Sequence, residues 1–109
     1  MTEKEFWERV FGENSEYIDG IVQVRDSPGI YTGYTVSKSL DCLFKYAVPK
    51  LTSHDLIIEK KVDTSYYKVY ALGVQKNIKT YFSADDNHAT AVYNALVKVF
   101  EQEKKDVNR

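Results

Sequence analysis

Cysteine, tryptophan and methionine each occur once in the 109 residues, and proline occurs twice. A single cysteine, Cys42, excludes an internal disulfide, and no Cys-x-x-Cys pair is present for zinc or dithiol chemistry. Apolar runs stop at three or four residues, too short for any segment to be predicted to span a bilayer. Neither sign of charge dominates. Fifteen basic and sixteen acidic side chains leave a net charge of −1, which disfavours a generally basic nucleic-acid binder and an acidic tail protein alike. A glycine-rich phosphate loop is also missing. The two glycines of Asp-Ser-Pro-Gly-Ile-Tyr-Thr-Gly flank a strand pattern and do not precede a helix. The opening Met-Thr-Glu-Lys-Glu-Phe-Trp-Glu-Arg-Val is charged where a signal peptide is apolar, and neither end carries a lipidation pattern. The expectation is a soluble, cytoplasmic protein with no membrane contact.

What is present fits one domain. Hydrophobic residues make up 43% of the chain and charged residues 28%, near the globular average, and two independent cores need more length. Charge is segregated, however. Residues 1–26 carry seven acids and three bases, while residues 38–79 carry eight lysines and four acids. A neutral chain of this kind can still present a basic face.

The pattern of elements predicts an α+β fold: a short N-terminal helix (1–13), about six antiparallel strands in one curved sheet (17–82), and a long amphipathic C-terminal helix packed on it (84–105), with a frayed tail (106–109). Thr2 and Glu5 have the spacing of a capping box, and Phe6, Trp7, Val10 and Phe11 repeat at helical spacing before Gly12. Tyr17 to Arg25 alternates, with Ile18, Val22 and Val24 on the apolar side. Asp26-Ser27-Pro28-Gly29 has the composition of a type II turn. Ile30 to Ser39 alternates next, and Cys42, Phe44, Tyr46 and Val48 follow at period two until Pro49, which cannot donate to a ladder. Leu56 to Val62 and Tyr66 to Val74 form a hairpin about Asp63-Thr64-Ser65, and Asn77 to Phe82 a shorter sixth strand after a break at Gly73 to Asn77. Ser83 and Asp86 suggest a second capping box, ahead of a stripe of Ala89, Val92, Leu96, Val99 and Phe100. A bent sheet closed by a C-terminal helix resembles pleckstrin-homology-like architecture in element order, which implies a fold and no function.

Candidate chemistry is sparse. Ser53-His54-Asp55 contains the residue types of a hydrolase triad, but consecutive side chains diverge, so the reading is a polar turn. Asp85, Asp86 and His88 crowd a helix start, where capping and the helix dipole account for the aspartates without a metal. Cys42, on an apolar strand face with no adjacent base, is a packing residue. No catalytic residue, metal site or cofactor is therefore assigned. A small-ligand carrier or enzyme with a pocket under the last helix, lined by Tyr34 and Tyr46, is a further alternative.

The remaining signal is one sheet face. With the aliphatic positions turned inward, the opposite face collects Tyr17, Gln23, Arg25, Tyr31, Thr35 and Glu59 together with Lys45, Lys61, Tyr66, Lys68, Tyr70, Lys79 and Tyr81. The last seven form the candidate binding surface. Tyrosine buries area at low entropic cost and keeps a polar end, which suits a protein partner or self-association. Rings that stack bases and ammonium groups that hold phosphates suit a single-stranded nucleic acid. Tyrosine's strand propensity and lysine's guarding of exposed strands account for the same list without a ligand.

Overall fold

Residues 1–51, 54–60, 66–73 and 79–107 are described by the computed structural model, with backbone only at 54, 71–73, 79–82 and 104–107. The chain forms two compact units, Met1–Ser37 and Lys38–Arg109.

The first unit begins with α1 (Glu3–Phe11). Its capping box is present in both directions: Glu5 N–H donates to Thr2 Oγ1 (3.1 Å) and Thr2 N–H to Glu5 Oε1 (3.2 Å). Gly12 ends the helix at φ +100°, a backbone angle that glycine alone adopts at little cost. The strands β1 (Ser15–Ile18), β2 (Ile21–Ser27) and β3 (Ile30–Thr35) follow as an antiparallel meander, β1-β2-β3. The stretch expected as one strand from Tyr17 to Arg25 is a hairpin. Asp19 (φ +50°) and Gly20 (φ +83°) form its two-residue turn, the geometry that matches the strands' own twist. The second turn, Pro28-Gly29, has Gly29 at φ +81° as a type II turn requires.

Register explains which side of this sheet is covered. Tyr17, Val22 and Tyr34 form one cross-strand row, with Val24 and Thr32 beside them. Those positions and Val36 are half-buried or buried, and α1 packs on β1 and β2 with Phe6, Trp7 and Val10 out of water. Tyr17 therefore belongs to the covered face, not to the polar one. Ile18 faces outward and is 57% exposed, because the turn at Asp19-Gly20 resets the alternation that placed it with Val22.

The second unit opens with the largest departure from the sequence reading. Residues 42–48 are not a strand. α2 (Leu40–Cys42) runs into a π-helical turn at Leu43–Ala47 and a 3-10 turn at Val48–Lys50. Ser39 caps the segment, its Oγ accepting from Cys42 N–H (3.3 Å). The fully buried positions are Leu43 and Ala47, four apart, as a helix demands. The two-residue pattern of Cys42, Phe44, Tyr46 and Val48 was coincidental to this face.

The sheet that follows contains β4 (His54–Lys60), β5 (Tyr67–Gly73) and β6 (Lys79–Asp85), again an antiparallel meander. The six strands thus divide into two three-stranded sheets, and the expected single six-stranded sheet is not formed, since the helical segment interrupts the chain between them. A bulge in β6 leaves position 82 as the extra residue between the pairs Val69–Ser83 and Tyr70–Tyr81. The turn at 63–65, most of the break at 73–77 and the last two residues of the tail lie outside the described residues.

The closing helix, α3 (His88–Val107), starts later than expected, because β6 continues through Asp85. Ser83 is a strand residue and caps nothing; its Oγ is buried without a hydrogen-bond partner. Asn87 is the cap, its Oδ1 accepting from Thr90 N–H (2.9 Å), while Asp85 Oδ1 accepts from Asn87 N–H. Val92, Leu96, Val99 and Phe100 are fully buried as the stripe predicts, with Ala91 and Ala95 beside them, and Ala89 is only half-buried. α3 packs on β5, β6 and the π-helical turn. Among the described residues no helix is long and apolar enough to cross a membrane.

Candidate functional site

The second sheet sorts its side chains by register. One face carries the rows Lys60–Tyr67–Asp85 and Ile58–Val69–Ser83. Val69 and Ser83 are buried and Tyr67 touches α3, so this is the helix side. The opposite face carries Glu59–Lys68–Ala84, Ile57–Tyr70–Tyr81 and Asp55–Leu72–Lys79. Four candidate residues therefore come to one face by backbone register: Lys68, Tyr70, Lys79 and Tyr81. Tyr70 and Tyr81 are direct cross-strand neighbours in the backbone register. Lys68 and Tyr70 are half-buried.

Of the other three candidates, two are not on those strands. Tyr66 is the residue before β5 and is 54% exposed. Lys45 sits in the π-helical turn, with its Nζ 5.2 Å from the Tyr46 ring centroid, so its place on a sheet face is corrected along with the strand that carried it. Lys61 lies outside the described residues.

Among the described residues this face carries both signs: Asp55, Glu59, Lys68 and Lys79 share it by register, and Glu59 is paired directly with Lys68. The mixed signs lower the field that a polyanion needs.

A second grouping lies at the start of α3. The His88 ring stacks on Tyr67 with centroids 4.4 Å apart and planes 2° from parallel, and Lys60 Nζ lies 5.7 Å from the same tyrosine's centroid. Nε2 of His88 is buried and has no hydrogen-bond partner. Beside it is an open cleft of about 380 Å³ lined by Ser39, Leu40, Asp41, Asn87, His88 and Ala89. Ser39 and Asn87 both use their side-chain oxygens to cap helices, which leaves Asp41 and His88 as the other polar side chains of the cleft. The sequence reading took Asp85, Asp86 and His88 as a helix start and missed the Tyr67–His88 stack, which no spacing within either segment announces.

The remaining candidates are dispersed. His54 and Asp55 begin β4 and are not in a turn, and Ser53 lies outside the described residues. Cys42 is half-buried at the end of α2. Among the described residues no group of three His, Cys, Asp or Glu side chains is placed to hold a metal ion. Tyr34 packs against Phe11 in the first unit, with centroids 5.0 Å apart.

The architecture defines an α+β protein with two small antiparallel meanders. Comparison with protein families, with characterised proteins and with solved structures gives no match. The resemblance in element order is therefore not extended to this chain.

Proposed function

We propose that this chain is a non-enzymatic binding protein that takes a protein partner on the outward face of β4, β5 and β6, in a reducing, cytoplasm-like setting. The observation that supports the reading is the register of the second sheet, which gathers Lys68, Tyr70, Lys79 and Tyr81 around the pair Tyr70–Tyr81. Tyrosines at the centre of a patch with charge at its margin are the composition of a hot spot and its rim.

Size bounds the affinity. Three strands of seven residues present a projected area of roughly 300 Å², against about 800 Å² per partner in a standard interface. The contact therefore draws in flanking residues such as Tyr66, and it belongs with small, transient interfaces.

The test uses tagged full-length chain as bait in extract from its native cells. It compares wild type with Tyr70→Ala and with Lys68→Glu. A protein retained by wild type and lost from both variants, with circular dichroism unchanged, supports the reading. Binding of single-stranded polynucleotide that falls steeply with salt, and is lost in the same variants, replaces it with the nucleic-acid reading.

A further inference from the structure

Four strands border the two sheets, and they are protected unequally. On β1 the outward N–H groups are already used: Ser15 donates to the Gly12 carbonyl (3.3 Å) and Tyr17 to Glu8 Oε2 (2.9 Å). β4 carries Asp55, Glu59 and Lys60, and β6 carries Lys79 and Asp85, the charges that discourage strand addition. β3 has no such guard. Residues 29–37 contain no Asp, Glu, Lys, Arg or Pro.

The phase of its hydrogen bonding follows from one contact. Val36 N–H donates to the Gly20 carbonyl (2.8 Å). In an antiparallel ladder bonded pairs alternate, so Tyr34 and Thr32 also turn their backbone groups toward β2. Tyr31, Gly33 and Thr35 turn theirs away, and all three residues are exposed.

We propose that the β3 edge pairs antiparallel with the β3 edge of a second copy of this chain, centred on Gly33. That register sets Gly33 against Gly33 of the second copy and Tyr31 against Thr35 of the second copy, twice by symmetry. All three outward-turned residues are matched, giving about six backbone hydrogen bonds. The neutral segment meets its own copy without like-charge repulsion. The outward face also becomes continuous. A row runs from Ile18 and Ile21 through Thr35 to Tyr31 and Arg25 of the second copy. It joins residues that are 57%, 45% and 61% exposed at Ile18, Ile21 and Tyr31. The pair of glycines at the centre leaves the Tyr31 rings room to lie across the junction.

The experiment is sedimentation equilibrium of the full chain over a wide concentration range. Wild type is expected to pass from monomer to dimer. The double variant Tyr31→Lys with Thr35→Lys places like charges opposite each other twice, and it raises the dissociation constant by about tenfold or more. Tyr31→Lys with Thr35→Glu places opposite charges at the same two junctions and restores the dimer. Wild type that remains monomeric throughout overturns the proposal, as does a dilysine variant that dimerises as well as wild type. Should the variants misfold, amide exchange in wild type decides. Protection of the Tyr31, Gly33 and Thr35 amides that grows with concentration supports the pairing. Rapid exchange at every concentration overturns it and leaves the edge to a strand from a different protein.

Discussion

Glu8 joins two elements of the first unit through one carboxylate. Its Oε2 accepts from Lys4 Nζ at 2.6 Å and from the Tyr17 N–H at 2.9 Å. The Lys4 hydrogen bond, then the Tyr17 N–H, hold this carboxyl below the ordinary glutamate range. The Lys4 ammonium is correspondingly raised by Glu8, while burial first, then the negative charge of Glu3, pushes the Tyr17 phenol up. Since the Glu8 value is lowered on folding, its contribution is complete above the unfolded glutamate pKa. It is lost as pH falls through the lowered folded value. Glu8→Gln is expected to flatten that acid-side decline in thermal unfolding followed against pH. Lys4 is more than half exposed, so solvent screens the pair and Lys4→Ala costs little. Glu8→Ala also strips the acceptor from the Tyr17 N–H and costs about 1 kcal/mol. Equal losses in the two variants, read by urea unfolding, contradict this ranking.

At the scale of elements, the start of α3 gives a direct discrimination. Asn87→Ala removes the cap and costs about 1 kcal/mol. Ser83→Ala removes a buried hydroxyl that has no partner and is neutral or stabilising. If Ser83→Ala were the more damaging in urea unfolding, the helix would start where the Ser83–Asp86 spacing suggested. The contrast also shows what was legible. α1 could be read whole, because its box, its apolar spacing and its terminal glycine all agree. The stripe of α3 could be read for the same reason, but its start could not, since Ser83 serves a strand and the true cap stands four residues on. Residues 42–48 read as a strand because Leu43 and Ala47 are only two buried positions in a short helical run, and alternating Cys42, Phe44, Tyr46 and Val48 outweigh them. Asp19-Gly20 was legible in principle as a hairpin dipeptide, but apolar residues on both sides disguised it as a single strand.

Over the whole molecule, the sequence exposed the charge segregation better than the sheet order. The three basic and seven acidic residues of Met1–Ser37 give that unit a net −4, and twelve basic against nine acidic residues give Lys38–Arg109 a net +3. The chain is nearly neutral, yet its charge is segregated along the sequence. Because the outward face of the second sheet carries both signs, with Asp55 and Glu59 on β4 and Lys68 on β5, the association rate of a partner there is expected to change less than about twofold between low and physiological salt. Stopped-flow association at several ionic strengths checks this, and a steep fall with salt contradicts it. The candidate face itself was half legible. Alternation alone grouped Lys68 with Tyr70 and Lys79 with Tyr81, and those groups meet across β5 and β6. Lys45 and Tyr17 were drawn in by alternation that a helical segment and a tight turn do not respect.

The lone indole of the chain is Trp7, fully buried, edge-on to Phe6 at 5.0 Å and with its Nε1–H unbonded. A chromophore so placed is shielded from solvent relaxation, so its emission lies toward the blue while α1 stays docked and moves to the red once water reaches it. Excitation at the red edge of the ultraviolet band, which spares the nine tyrosines, thereby reports on the burial of α1 with no dye, label or engineered reporter.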